Sequence, residues 1–136
     1  MWHVVAMASA RKPPRSIRVL VVEDIAEIRE AMVETLESAG YQTEAAADAG
    51  AALALMRRAP LPDLLFTDIV LGHGLNGYEL AQRAAELNPD LKVLYTTGYA
   101  FKAQEAHAAL PGSRMLLKPY RMAQVLQEIA QLLASA

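Results

Sequence analysis

The sequence contains no cysteine. This absence excludes disulfide bonds, thiolate metal sites and thiol nucleophiles. The chain also has little excess charge, since 13 Lys and Arg residues stand against 15 Asp and Glu residues, for a formal net charge of −2. A chain without a basic excess is a poor candidate for direct nucleic-acid binding. No apolar run approaches the roughly 18 residues of a membrane span, so we expect no membrane insertion either.

The 136 residues suit one domain, because soluble domains most often have about 100–150 residues. We expect a mobile N-terminal tail over residues 1–16, one domain over 17–133 and a short C-terminal end at 134–136. In the tail an apolar stretch precedes the basic residues, which is the reverse of a secretory signal. Met7 is a second candidate for the natural start. Without a signal or cysteines, the expected location is the cytoplasm.

Two periodicities alternate along the rest of the chain. Short, largely apolar runs predict strands over 17–22, 64–67, 91–96 and 114–117, and residues 41–46 are a candidate for a further strand. Apolar residues at helical spacing predict helices over 28–39, 49–56, 78–87, 101–109 and 122–133. Nearly continuous apolar strands are typical of a parallel sheet buried on both faces, whose helical crossovers are right-handed. The sequence therefore predicts an α/β fold with a doubly wound sandwich of helices around one sheet.

Chemically active side chains follow four of the predicted strands. These are Glu23 and Asp24, then Asp68, Thr97 and Lys118. In a doubly wound sheet the ligand site lies beyond the carboxyl ends of the strands. Three converging carboxylates repel one another unless they are protonated or neutralised, and hard oxygen ligands with room for water favour Mg²⁺. The absence of cysteine and the spacing of the three histidines disfavour zinc.

Four segments in order, VLVVED, LLFTDIVLGHGLNGYEL, VLYTTGYA and LLKPY, resemble the receiver domain of two-component response regulators. The resemblance covers residues 17 to about 133. It implies a flavodoxin-like (βα)5 fold with a parallel five-stranded sheet in the order 2-1-3-4-5. It also implies a Mg²⁺ site made by Glu23, Asp24, Asp68 and the backbone carbonyl of Val70.

The same resemblance implies a phosphorelay function. Asp68 would accept a phosphoryl group from a sensor histidine kinase or a histidine phosphotransfer protein, while Thr97 and Lys118 would contact the phosphoryl oxygens. Such a chain catalyses only its own phosphorylation and dephosphorylation. Partner docking in the family points to the regions Ile25–Arg29 and Pro119–Tyr120, and the Lys118-Pro119 bond is expected to be cis.

Simpler interpretations exist for several of these residues. Asp24 precedes a predicted helix, and a structural role as the N-cap of that helix is the simpler alternative to metal binding. Gly72, Gly74 and Gly77 resemble a phosphate-binding loop only superficially, and we interpret them as turn glycines. Thr96 is interpreted as a strand residue, with Thr97 as the functional hydroxyl.

The sequence departs from many receivers at the position three residues before Lys118. An aromatic residue that swings inward on activation is common there, whereas this chain has Met115. Tyr95, Tyr99 and Tyr120 are candidates to replace it. We expect phosphorylation to reshape the segment over 98–109.

Two alternative functions share some features of the sequence. A haloacid dehalogenase-type phosphatase also uses an Asp nucleophile at a strand end, but it needs a second Asp two residues on, where this chain has Val70. A receiver-fold interaction module without phosphorylation is a further alternative. Because no second domain follows Leu133, we expect either a single-domain regulator or the receiver of a larger protein such as a hybrid kinase, without direct control of transcription.

Overall fold

The computed structural model of the protein describes residues 17–72, 74–98 and 108–135. In this part of the chain the strands are β1 Arg18–Val22, β2 Gln42–Ala46, β3 Leu64–Asp68, β4 Lys92–Thr97 and β5 Arg114–Leu117. The helices are α1 Ala26–Ser38, α2 Ala49–Met56, α3 Gly77–Leu87 and α4 Met122–Ala134. Each lies within one or two residues of its predicted range. The predicted tail and most of the predicted helix over 101–109 fall outside the described residues.

The five strands form one parallel sheet in the order β2-β1-β3-β4-β5. The predicted strand order is therefore confirmed. From β1 the chain moves outward to β2 and then crosses back to pair β3 with the other side of β1. The order of the strands thus reverses between β1 and β3, and a ligand site in such a sheet lies at the carboxyl ends of these two strands.

Side chains alternate between the two faces of the sheet, as they do in any strand. In β1, Leu20 and Val22 belong to a buried cluster with residues of α2 and α3. Val19 and Val21 belong to a second buried cluster, with residues of α1 and α4. Both faces of the central strands are therefore covered, which explains why their sequences are nearly all apolar.

Local signals in the sequence mark several helix ends. Asp48 is the N-cap of α2, and its carboxylate accepts a hydrogen bond from the Ala51 amide at 2.8 Å. Gly40 follows α1 with a φ of 100°, a conformation that favours glycine after a helix. Within residues 17–72, 74–98 and 108–135, every helix is too short or too polar to cross a membrane.

Candidate functional site

Three carboxylates meet at the carboxyl ends of β1 and β3. Glu23 and Asp24 directly follow β1, and Asp68 is the last residue of β3. Each offers an oxygen atom, and these oxygens all lie within 4.8 Å of one another. Glu23 and Asp68 are each only 5% exposed, whereas Asp24 is open to solvent. The sheet thus brings together the three acidic residues that the sequence analysis singled out.

A lysine from β5 completes the charge pattern. Lys118 follows that strand directly, and its Nζ atom lies 2.9 Å from Oδ1 of Asp68. Partial burial lowers the pKa of Lys118, but the hydrogen bond and the charge of Asp68 outweigh burial and leave the pKa raised. The Lys118 amide also donates to the main-chain carbonyl of Thr97 at 2.8 Å, which holds the two residues side by side. The bond to Pro119 is cis, as the sequence analysis expected.

A hydroxyl from β4 also contacts the Asp68 carboxylate. Thr96 and Asp68 are register partners in neighbouring parallel strands, so their side chains lie on one face of the sheet. The Thr96 hydroxyl donates a hydrogen bond to Oδ1, the same oxygen that Lys118 contacts. From the sequence alone Thr96 is predicted only to lie in a strand, because strand register cannot be read from the spacing of motifs.

Burial and the neighbouring acidic groups change the pKa of Glu23. Burial, followed by hydrogen bonding to Asp68, raises the pKa of Glu23 from 4.5 to about 8. In the absence of a bound metal ion, Glu23 therefore keeps its proton at neutral pH. Three hard oxygen donors with one open side are a donor set that suits Mg²⁺. The residues thus fit the ion that the sequence predicts.

The start of α1 tests the interpretation of Asp24 as a helix cap. The N-cap of α1 is Ile25, and no side chain caps this helix. The interpretation of Asp24 as an N-cap is therefore wrong. A Cβ atom on Gly72 would lie 3.8 Å from Oδ2 of Asp24, so the loop after β3 passes close to this carboxylate. Val70 lies in the same loop with a 57% exposed side chain.

The glycines after β3 have two different roles. Gly72 and Gly74 have φ values of 78° and 84°, as expected of turn glycines. Gly77 is instead the first residue of α3, and its amide donates to the carbonyl of Ile69 at 2.7 Å. The start of α3 therefore packs directly against the main chain at the end of β3.

The family described as "Response regulator receiver domain" matches residues 19–130. The chain belongs to this family. The receiver is 35% identical over 120 residues to the response regulator receiver protein CpdR of Brucella abortus, covering 88% of this chain and 98% of CpdR. It is also 30% identical to a region of the sensor kinase CckA of the same organism, covering 87% of this chain and 13% of CckA.

Solved structures agree with this assignment. A response regulator receiver protein from Sinorhizobium medicae superposes on the receiver with a TM-score of 0.81 at 27% identity, covering 88% of this chain and 95% of that chain. The non-phosphorylated HemR receiver domain of Leptospira biflexa gives a TM-score of 0.76 at 26% identity, over 89% and 97%. The predicted family and the predicted flavodoxin-like fold are both confirmed, and the chain is a receiver domain of two-component signalling.

Aromatic packing occupies the region where many receivers have a switching ring. Tyr95 is fully buried, its ring centroid lies 5.1 Å from that of Tyr78, and its hydroxyl accepts a hydrogen bond from the Leu110 amide at 3.3 Å. Half-buried Met115 is the register partner of Tyr95. The sheet therefore places a fixed tyrosine beside the methionine. Tyr99 lies outside the described residues.

On the other side of the sheet, Tyr120 packs edge-on against Phe66, with 6.4 Å between the ring centroids. Burial, followed by the charges of Asp68 and Glu23, raises the pKa of Tyr120 to about 12. The phenol therefore stays protonated near the acidic cluster.

Proposed function

We propose that this receiver accepts a phosphoryl group on Asp68 from a phosphohistidine and signals through the resulting change in the site. The observation that carries the proposal is the placement of the Asp68 carboxylate. It lies at a strand end, next to two further carboxylates and 2.9 Å from the Lys118 ammonium. An ion pair with lysine would suit a structural aspartate, but two further carboxylates beside it repel and are unfavourable for structure alone. An aspartyl phosphate site, by contrast, uses both the cationic charge and the acidic metal ligands.

In the proposed reaction, an oxygen of the Asp68 carboxylate attacks phosphorus while the bond between phosphorus and the donor histidine nitrogen breaks. The electron pair of that bond returns to the imidazole, which takes a proton from solvent. Lys118 pairs with a phosphoryl oxygen, because its side chain is long and one-third exposed and can leave Asp68. The Thr97 hydroxyl donates a hydrogen bond to a second phosphoryl oxygen, and this bond draws the end of β4 toward the site.

Glu23, Asp24, Asp68 and the main-chain carbonyl of Val70 would hold Mg²⁺. When bound, the ion supplies positive charge that offsets the carboxylates and the phosphoryl oxygens. Ionised carboxylates are the form that binds a cation, so Glu23 gives up its proton on binding. Metal affinity is therefore expected to rise with pH.

The proposed donor is a sensor histidine kinase or a histidine phosphotransfer protein. Similarity to a region of a protein named sensor kinase CckA supports a donor of this class. Ile25, which directly follows the acidic pair, is 48% exposed and offers an apolar contact at the rim of the site. We propose that the phosphoryl donor docks on the regions Ile25–Arg29 and Pro119–Tyr120. The proposed compartment for this exchange is the cytoplasm.

A dehalogenase-type phosphatase receives no support from the site. That chemistry needs an acid/base carboxylate two residues after the nucleophile, and the side chain of Val70 can neither give nor accept a proton. An interaction module without phosphorylation would also leave the cluster of charged groups around Asp68 without a function.

Intact-mass spectrometry after incubation with phosphoramidate and Mg²⁺ tests the proposal. The protein should gain the mass of one phosphoryl group, and Asp68→Asn should not. Asp90→Asn is the matched control, since Asp90 is an exposed turn residue that precedes β4, whereas the acidic cluster lies at the carboxyl ends of the strands. Full labelling of Asp68→Asn, or no labelling of the unaltered protein, would contradict the proposal.

A further inference from the structure

The Thr96 hydroxyl is a polar group at the site to which the proposed reaction gives no role. Thr96 is 2% exposed, and its hydroxyl donates to Oδ1 of Asp68 across the gap between β4 and β3. The main chain fixes this contact, because the Ile69 amide donates to the carbonyl of Thr96 at 2.9 Å. The hydroxyl therefore has a set position next to the carboxylate.

Lys118 and Thr96 contact the same oxygen atom but differ in freedom. The lysine side chain is long and one-third exposed, so its ammonium can follow a phosphoryl group. The threonine side chain is short, β-branched and buried within the sheet, and such a side chain has few alternative rotamers. Once a phosphoryl group is present, Thr96 is therefore the donor that stays on the carboxyl group of Asp68.

We infer that the Thr96 hydroxyl speeds loss of the phosphoryl group from Asp68 by stabilising the departing carboxylate. This inference rests on the proposed function. In hydrolysis, a water oxygen bonds to phosphorus while the bond between phosphorus and the Asp68 oxygen breaks. The electron pair of that bond returns to the carboxylate, and both water protons leave with the inorganic phosphate. Charge is spread over both carboxylate oxygens, so a donor on either one stabilises it.

The direction of the effect follows from the change in charge. Hydrogen bonds to ionised acceptors are stronger than those to neutral ones. The hydrogen bond from Thr96 is therefore weaker when the acceptor is the neutral carbonyl oxygen of the acyl phosphate than when it is the free carboxylate. It strengthens as the phosphoryl group leaves. Phosphoryl-transfer transition states are loose, with much of the leaving-group charge already formed. An interaction that strengthens toward the transition state raises the rate.

The experiment compares the lifetime of the acyl phosphate in three variants. Each protein is labelled with phosphoramidate and Mg²⁺, freed of the donor by desalting, and followed by intact-mass spectrometry. Thr96→Val removes the hydroxyl while keeping the side-chain shape, and we expect the half-life to lengthen about threefold to tenfold, which is part of the effect of a charge-assisted hydrogen bond. Thr96→Ser keeps a hydroxyl and should restore the short half-life.

Thr67→Val is the matched control for loss of a buried hydroxyl. Thr67 lies one residue before Asp68, is also buried, and donates to the main-chain carbonyl of Asp68 instead of the carboxylate. The acyl phosphate of the Thr67→Val variant should have the same half-life as that of the unaltered protein. Thermal unfolding by circular dichroism checks that each variant is folded, and Thr96→Ala takes the place of Thr96→Val if the valine variant does not fold.

The outcomes separate this inference from the proposed function. An equal or shorter half-life without the Thr96 hydroxyl, in a protein that is labelled normally, contradicts the role of Thr96 alone. A longer half-life in Thr67→Val of the same size contradicts it too, because any lost hydroxyl would then suffice. Absence of labelling in the unaltered protein contradicts the proposed function and the role of Thr96 together.

Discussion

A Cβ atom placed on Gly77 would lie 2.2 Å from the main-chain oxygen of Asp68. It would also lie 2.9 Å from the Cα of Ile69. Both contacts are with main chain, which cannot move aside as a flexible side chain can. The first residue of α3 must therefore be glycine if β3 is to end where it does.

We expect Gly77→Ala to lower the free energy of unfolding by about 1–3 kcal/mol or more, since overpacking displaces main chain. Because the displaced atoms belong to Asp68, labelling by phosphoramidate should also slow. Urea denaturation and intact-mass spectrometry measure the two effects.

Gly50→Ala is the control for this substitution. A Cβ on Gly50 would meet only Oδ1 of Asp48, at 3.5 Å, which is an ordinary contact. Alanine is the better helix former, so α2 and the whole domain should gain about 0.5–1 kcal/mol. Equal destabilisation by both alanines would show that the close approach to Asp68 is not the cause.

Asp24→Asn should stabilise the metal-free protein and weaken its binding of Mg²⁺. The substitution removes one of three mutually repelling carboxylates, and because Asp24 is exposed the gain should stay below about 1 kcal/mol. Loss of an anionic ligand should lower Mg²⁺ affinity at least about fivefold in calorimetric titration. Glu86→Gln removes the same charge on the exposed side of α3 and should change neither quantity; a matching change would refute the role of Asp24.

The stability of the metal-free protein should fall as pH rises from about 5 to about 8. The pKa of Glu23 is raised to about 8 in the folded state, against 4.5 as its ordinary value. Between these values the folded state binds more protons than the unfolded state, so the free energy of unfolding decreases with pH. Urea denaturation in the presence of EDTA, at several pH values, measures the slope.

Glu23→Gln cannot titrate at this position and is the comparison for that slope. Its stability should depend less on pH over the same interval, whereas other titrating groups affect both proteins alike. Identical slopes would mean that Glu23 does not retain a proton in the folded state.

Met115→Ala should cost about 1–2 kcal/mol of stability, because a half-buried methionine loses its contacts with the buried cluster that includes Tyr95. Labelling at Asp68 should remain intact, since Met115 packs against the buried cluster that includes Tyr95, whereas the Asp68 carboxylate contacts Thr96 and Lys118. Loss of labelling in a folded Met115→Ala variant would contradict this expectation and show that Met115 is needed for phosphorylation.

Tyr95→Phe tests the aromatic residue that lies beside it. The substitution removes the acceptor of the Leu110 amide hydrogen bond. Exchange of that amide with deuterium should speed up, with about 1 kcal/mol lost in stability. Unchanged protection of Leu110 would show that the hydroxyl does not hold this turn.

Much of the fold could be predicted because buried parallel strands need continuous apolar sequence, and the runs around Val21 and Phe66 have it. The position of Asp68 at a strand end followed from the same rule. Thr96 could not be assigned, since its contact with Asp68 depends on the register of β3 against β4. Gly77 was misread as a turn glycine, because its requirement comes from the approach of α3 to β3 and not from a local turn. The phosphoacceptor and metal-ligand roles stay predictions.

The order of the strands in the sheet has a consequence for how this protein is made. The Asp68 carboxylate is flanked by Glu23 and Asp24 after β1, by Thr96 within β4 and by Lys118 after β5. Among the described strands of the sheet, β5 comes last in the chain. A growing or partly unfolded chain in which β5 has not yet docked therefore holds Asp68 without the Lys118 ammonium. Under the proposed function, a molecule in which β5 has not docked should therefore accept a phosphoryl group poorly, because it lacks the Lys118 ammonium.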